Sequence, residues 1–303
     1  MSPAPHATAV DLRGVSHRFG ATLALDDLTI ELRAGSTVAL LGRNGAGKST
    51  TISIMLGLLA PTAGQVEVLG GPPADAIRVG RVGAMLQSGS LPAGATVGEL
   101  VALAAALHRD AGSPGTLLDR AGLRSLATRR VEGLSGGEAQ RVRFALAIAG
   151  DPDLVFLDEP TVAMDVEARR AFWTDMRAAA DRGRTILFAT HHLDEADQVA
   201  DRIVVLHEGR VAADGAPSAL RDAVGSRIIR FRLDGVDPAA LAQLPGVSLA
   251  EHHAGQVRLA SADADATVRA LVARGVPFRR LEVASVDLED AFLAITGGLP
   301  RAA

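Results

Sequence analysis

The chain has 303 residues, of which 48% are hydrophobic and 22% charged, and its formal net charge is -4. That is enough apolar material for one large domain or two of ordinary size, and it excludes wholesale disorder. The lack of Cys excludes disulfides and thiolate metal sites. A slightly acidic chain with 3% aromatics and no Tyr also lacks the basic, aromatic-studded profile of a nucleic-acid binder.

The first two-thirds alternates short β-rich runs with helical patterns, which predicts an α/β domain on a mainly parallel sheet. Thr37 to Leu41 (TVALL) reads as a buried strand, followed at once by a glycine-rich loop and an amphipathic helix from Ser49 to Leu59. Residues 96–107 read as a helix with Thr96 as N-cap and Glu99 three residues on, a capping-box pattern. A further helix is predicted at 136–149, ending near Gly150-Asp151-Pro152. Asp153 to Leu157, Arg184 to Ala189 and Ile203 to His207 read as buried strands, the last closed by a hairpin turn at Glu208-Gly209. Near residue 225 the texture changes. Ile229, Phe231 and Leu233 alternate with Arg230, Arg232 and Asp234, the mark of a half-exposed strand. The rest reads helix (237–244), strand (247–253), strand (256–260), helix (263–274), strand (277–283) and helix (286–296). This order suggests a small split-βαβ, ferredoxin-like domain, and the expected division is 1–225 and 226–303.

Three motifs carry chemistry. Gly42-Arg43-Asn44-Gly45-Ala46-Gly47-Lys48-Ser49-Thr50 fits G-x-x-x-x-G-K-[ST] between a strand and a helix. Glycines let successive N–H groups turn toward phosphate oxygens, and the helix N-terminus adds partial positive charge. Lys48 would serve the β- and γ-phosphates, and the Ser49 hydroxyl would serve Mg²⁺. The alternative, an ordinary glycine-rich turn, does not account for the lysine-hydroxyl pair in that context. Leu154 to Glu159 (LVFLDE) is an apolar strand ending in two carboxylates. Asp158 suits a metal near phosphates and Glu159 an attacking water, where a lone acidic loop would be merely solvated. Leu134-Ser135-Gly136-Gly137-Glu138 opens a helix with small residues, an anion seat. Two glycines are a costly way to build a cap alone.

Together GRNGAGKST, LSGGE and LVFLDEP resemble the Walker A, signature and Walker B motifs of the ABC ATPase family, in that family's order, over about residues 8–225. The resemblance implies a P-loop NTPase fold with a RecA-like core, an antiparallel β subdomain and a helical subdomain at about 88–150. It implies ATP as substrate and Mg²⁺ as cofactor. It also places Gln87 at the Q-loop glutamine, which senses γ-phosphate and metal, and His191 at the switch histidine. Asp165 falls at the D-loop aspartate, and Phe19 at the aromatic that stacks on adenine. The expected catalytic set is thus Lys48, Gln87, Glu159 and His191, and the expected metal set is Ser49, Gln87 and Asp158. Nucleotide contacts are expected from Phe19, from residues 42–50, from Ser135, Gly136 and Gly137, and from Asp165.

The departures are Met164 for the usual Leu in VAMD, Glu138 for the commoner Gln, and Phe19 for Tyr. None removes a catalytic group. His191, His192, Asp194 and Glu195 lie close in sequence, but the switch-histidine match accounts for His191 without a protein-only metal site.

The resemblance further implies two such chains closing head to tail over two ATP molecules, with Ser135 and Gly137 of one completing the site of the other. A separately encoded membrane permease is expected, because no apolar run approaches the ~20 residues of a membrane span. The opening MSPAPHATAV shows neither a basic start nor a long apolar middle, so no signal peptide is expected. A soluble protein held on the cytoplasmic face of the membrane through the permease follows. The segment LEVASVDLEDAFLAITG resembles the tail of drug-export ATPases of the daunorubicin-resistance type, which favours export of a drug, lipid or polysaccharide over import. A ribosome-acting relative would usually carry two cassettes, and a chromosome-maintenance relative a long coiled coil between Walker A and Walker B. A P-loop kinase or GTPase would leave LSGGE unexplained.

Overall fold

The computed structural model describes residues 8–87, 89–108, 112–223, 227–233 and 238–297. The expected domain boundary at residues 225 and 226, together with Asp234 and Asp237, lies outside the described residues. By internal contacts the chain forms two compact units, Met1–Val211 and Ala212–Ala303.

Two long strands open the first unit: β1 (Thr8–Phe19) and β2 (Thr22–Arg33) pair antiparallel, and β1 also pairs antiparallel with β4 (Ala63–Val68). Between them in sequence lies β3 (Thr37–Leu41), buried at every position, and α1 (Lys48–Met55). The second sheet has the order β5 (Val82–Met85), β6 (Leu154–Asp158), β7 (Thr185–Thr190), β3, β8 (Arg202–His207), β9 (Arg210–Gly215). Pairing is parallel from β5 through β8. β6 and β7, like β3, are buried at every position, which is why they read as unbroken apolar runs. β8 turns into β9 through Glu208 and Gly209, whose φ values of 49° and 77° fit a type I′ hairpin.

Helices fill the connections: α2 (Pro73–Arg78), α3 (Val97–Leu107), α4 (Pro114–Arg120), α5 (Gly136–Ala147), α6 (Val166–Asp181) and α7 (Leu193–Val199). The helix expected to reach Leu59 stops at Met55. Gly57, at φ 63°, donates to the Ile54 carbonyl at 2.9 Å while the Leu58 N–H reaches the Ser53 carbonyl at 2.9 Å. That is a Schellman stop, written in one glycine inside an otherwise helical pattern. α3 begins as expected: Thr96 caps it, and the Glu99 carboxylate accepts from the Thr96 N–H at 2.8 Å. Val97, Leu100 and Val101 of α3 join Leu117, Leu123, Val142 and Ala145 in a separate small core.

The second unit holds α8 (Pro217–Ala223), then β10 (Arg227–Arg232), α9 (Pro238–Ala242), β11 (Val247–His253), β12 (Gln256–Ser261), α10 (Ala264–Ala273), β13 (Arg279–Ser285) and α11 (Leu288–Ile295). Its sheet order is β11-β12-β10-β13 with antiparallel neighbours throughout, the split-βαβ arrangement. Ile229, Phe231 and Leu233 face the main core of this unit. Ile228 is also buried, because Ala291 of α11 packs over the opposite face. The strand is therefore less exposed than its alternation suggests.

Replacing Thr96 by Ala removes a side-chain acceptor for the Glu99 N–H and opens the capping box. Urea or thermal unfolding of the variant should show a loss of about 1 kcal/mol.

Candidate active site

Parallel strands end side by side. Leu41 of β3 pairs with Thr190 of β7, Asp158 of β6 with Ala189, and Met85 of β5 with Leu157. The four segments that follow these strands therefore gather at the carboxyl edge of the sheet, where ligands of open α/β sheets bind. They carry Gly42–Thr50, Asp158-Glu159, His191 and Gln87.

The loop from Gly42 curls tightly, with the Ala46 N–H on the Arg43 carbonyl at 3.0 Å. Gly47 caps α1 at φ 104°, and no side chain caps that helix start. A Cβ on Gly47 would lie 2.6 Å from Leu25 Cδ2 and 3.0 Å from the Ala24 carbonyl, so β2 backs directly onto the loop. The uncapped first-turn N–H groups of α1 are what an anion would satisfy. Ser49 is exposed there, Thr50 half-buried, and Arg43, Asn44 and Gly45 are exposed.

Lys48, Asp158 and Glu159 are buried, at 7%, 4% and 6% exposure. Lys48 Nζ donates to the Gly42 carbonyl at 2.7 Å. Burial lowers the Lys48 pKa, against the pull of Glu159 and Asp158. Burial raises the Asp158 pKa and the Glu159 charge adds to it, while a hydrogen bond with Ser49 and the Lys48 charge oppose it. Asp158 Oδ1 has no hydrogen-bond partner. An unpartnered buried carboxylate oxygen beside a hydroxyl is a hard-oxygen donor pair, which fits Mg²⁺.

Glu159 sits at φ 51°, and its N–H bonds the Ala189 carbonyl at 2.9 Å. Both its carboxylate oxygens lie 2.9 Å from His191 Nδ1. The His191 ring is half-exposed and packs against His192 at a 4.1 Å centroid distance.

Other expected residues lie around this cluster. Gln87 is exposed in the turn after β5, on the same edge of the sheet. Phe19 ends β1 at the turn into β2, 51% exposed, with its ring edge against His17 at 4.6 Å. Asp165 caps α6 by accepting from the Ala168 N–H at 2.8 Å. Ser135 caps α5 in a full capping box: the Glu138 carboxylate accepts from the Ser135 N–H at 2.7 Å. Gly136 and Gly137 lie against Ala163; a Cβ on Gly136 would sit 2.8 Å from the Ala163 Cβ. Among the described residues, Ser135, Gly136 and Gly137 make no hydrogen bond to the Gly42–Thr50 loop. Ser135 and Gly136 are exposed and face a surface instead.

Sequence reasoning missed two buried polar groups beside Glu159. Gln140 of α5 bonds the Glu159 and Pro160 carbonyls at 3.2 and 3.3 Å. Thr161 donates to Glu195 at 2.6 Å, and Arg169 lies 3.3 Å from the same carboxylate oxygen. Their signal is position alone: Gln140 falls one helical turn past the LSGGE start, and Thr161 follows the DEP run.

A parallel sheet that carries a glycine-walled loop, a buried lysine and adjoining carboxylates at its carboxyl edge defines a P-loop nucleoside-triphosphate-binding protein. The ABC transporter family profile matches residues 25–162. The Nod factor export ATP-binding protein I of Burkholderia orbicola (strain AU 1054) is 36% identical over 308 residues, covering 98% of both chains. The protein of that name from Rhizobium johnstonii is 36% identical over 299 residues, covering 95% of each. A solved ATP-binding subunit of an ABC transporter superposes with a TM-score of 0.66 at 30% identity, over 72% of this chain and 93% of that one. A dimeric ATP-binding cassette in a post-hydrolysis state with ADP and Pi gives 0.62 at 27% identity, over 68% and 98%. The chain belongs to the ABC transporter family, as one of its ATP-binding and ATP-hydrolysing subunits.

The direction of the pKa shifts sets a stability test. A carboxyl with a raised folded pKa costs the fold stability once ionised in both states, and the cost vanishes as pH falls through that pKa. A lysine with a lowered folded pKa costs stability while protonated in both states, relieved only as pH rises through its folded pKa. Nucleotide-free protein bears both costs near neutrality. Asp158→Asn should therefore raise its melting temperature and flatten the acid-side gain, while hydrolysis falls about a hundredfold or more. A lowered melting temperature would contradict the assignment of Asp158 as an unrelieved buried charge.

Proposed function

We propose that this chain powers export through a separately encoded membrane permease, by closing head to tail with a second copy over two ATP molecules. The observation that carries the export reading is the end-to-end similarity to Nod factor export ATP-binding proteins, which spans the second unit as well as the cassette. The cargo class is a drug, lipid or polysaccharide. The chain acts on the cytoplasmic face, bound to the membrane through the permease. No described helix is long and apolar enough to cross a membrane.

In this mechanism the loop Gly42–Thr50 and Lys48 hold the phosphates of ATP, and Phe19 offers its exposed ring to the base. Ser49, Asp158 and Gln87 would hold Mg²⁺, which supplies charge neutralisation on the phosphates. Support for that set is the orphaned Asp158 oxygen beside Ser49. Glu159 orients the attacking water; His191, already 2.9 Å from its carboxylate, and Lys48 face the developing charge on the phosphoryl oxygens. Ser135 and Gly137 of the second copy complete the site at the γ-phosphate, with Asp165 crossing at the same contact. The exposed Ser135 and Gly136 at the start of α5 support this, since they face a surface and, among the described residues, make no hydrogen bond to this chain's own Gly42–Thr50 loop. ATP favours the closed pair because its γ-phosphate is contacted only there, and hydrolysis removes that preference. The segment 88–150 passes the motion to the permease, and residues 226–303 form an accessory domain that follows the cassette of residues 1–225 in sequence.

Glu159→Gln should bind ATP and run as a dimer on gel filtration with ATP, and as a monomer without it. A variant that binds ATP yet stays monomeric would remove the closure scheme. For direction, inside-out vesicles holding the permease and this subunit should accumulate cargo on ATP addition, and Lys48→Ala should abolish it. ATP-driven loss of cargo from such vesicles would mean import.

A further inference from the structure

Glu159 is held in a backbone conformation that non-glycine residues avoid. Its φ of 51° lies in the left-handed region, which costs roughly 1–3 kcal/mol and persists only where the surroundings over-determine it. One anchor is evident: the Glu159 N–H on the Ala189 carbonyl of β7, at 2.9 Å. The second comes from the side of α5. Gln140 is 7% exposed, and its Nε2 lies 3.2 Å from the Glu159 carbonyl and 3.3 Å from the Pro160 carbonyl. Its Oε1 accepts from Arg143. Both amide hydrogens and one acceptor site are thus committed, so the Gln140 side chain is fixed rather than free to rotate.

We propose that Gln140 is a positioning residue for ATP hydrolysis, its side-chain amide clamping the Glu159-Pro160 turn so that the Glu159 carboxylate stays aimed into the site. This rests on the reading of Glu159 as the water-orienting group. The clamp grips the reacting residue's own peptide: β7 takes its N–H and α5 takes its carbonyl. With both ends held, the carboxylate is left facing His191 Nδ1. Without the α5 end, the strained turn can relax, and a shift of about 1 Å in a reacting group costs on the order of a hundredfold in rate. Ser135 caps the same helix, so the element that offers the signature serine to the second copy also steadies this chain's own carboxylate.

A purely structural role would predict something different. A buried glutamine that only glues α5 to a loop would, once removed, lower stability and disturb nucleotide binding along with rate. A positioning role lowers kcat and leaves KM alone, because the phosphate-binding loop is untouched.

Two full-length variants test this. Gln140→Met removes both donors at nearly matched shape. Gln140→Glu keeps the acceptor for Arg143 but turns oxygens toward two carbonyls. Both should stay folded and retain ATP binding, with a modestly lowered melting temperature from the unpaired carbonyls, kcat reduced about ten- to a hundredfold and KM within about threefold. Adding Gln140→Met to Glu159→Gln should leave the residual rate of the latter unchanged, because a residue acting through Glu159 has nothing left to position. The proposal is overturned if both variants keep kcat within twofold. It is equally overturned if the loss multiplies in the Glu159→Gln background, or if both variants lose ATP binding and fold together. Wild-type hydrolysis by Glu159→Gln alone would instead remove the reading of Glu159, whatever the Gln140 variants do.

Discussion

Burial of charge without full compensation is the constraint on which the rest of the first unit depends. Lys48, Asp158 and Glu159 occupy one edge of the sheet almost out of contact with water. One cation faces two carboxylates, and Asp158 Oδ1 meets nothing. Such a cluster is unfavourable in an empty protein, because desolvation outweighs the attraction between incompletely matched charges. The fold tolerates it because β3, β6 and β7 are buried at every position and place Leu40, Phe156 and Leu187 in one continuous core. A phosphate chain with its metal would reverse the balance, giving Lys48 and the bare N-terminus of α1 an anion and Asp158 a cation. Site and scaffold are thus linked through opposite demands: the strands must be apolar enough to sustain ends that are not.

The turn after β6 shows how that tension is confined. From Glu159 to Asp165 the chain adopts two left-handed residues, Glu159 and Ala163 at φ 51° and 65°. Each part of it is held by a different element: β7 and α5 at Glu159, α7 at Thr161 through Glu195, and the start of α5 at Ala163 against Gly136. The turn is therefore the meeting point of Glu159, α7 and α5. Interdigitated contacts of this kind move in steps rather than continuously. A displacement of α5 would be felt at Glu159 without crossing the nucleotide pocket.

What the sequence made legible follows the same division. The buried parallel strands, the phosphate loop, the capping box at Thr96 and the split-βαβ order could be read because each is a local pattern with a fixed spacing. β1 and β2 could not. Their pairing shifts register four times, near Gly14 at φ 59° among other places, and each shift breaks the two-residue alternation that marks a strand. The end of α1 was overrun because Gly57 looks like one tolerated glycine until its two backbone bonds are seen. Gln140 and Thr161 escaped notice for a deeper reason. Their partners are 19 and 34 positions away, and a buried glutamine or threonine reads in sequence like any surface one. The burial of Ile228 could not be read because the helix that covers it, α11, lies some 60 residues downstream, a reach on the order of half a small domain.

The Glu at position 138 raises a physical question. A carboxylate one turn into α5 sits close to where a phosphate would be seated, and like charges repel. Three features reconcile it. Glu138 is spent on the helix itself, accepting from the Ser135 N–H at 2.7 Å, which lowers its pKa and fixes its orientation. Arg129 lies 3.1 Å from its other oxygen and balances its charge locally. And the Ser135 hydroxyl itself bonds the Glu138 carboxylate while accepting the Glu138 N–H at 3.3 Å, so serine and acid are held as one unit. The carboxylate thus stiffens the serine that would face the phosphate instead of competing with it. A glutamine there would cap with less electrostatic strength but also without need of Arg129. The pairing of Glu138 with Arg129 is therefore the compensation that lets this signature carry an acid beside an anion seat.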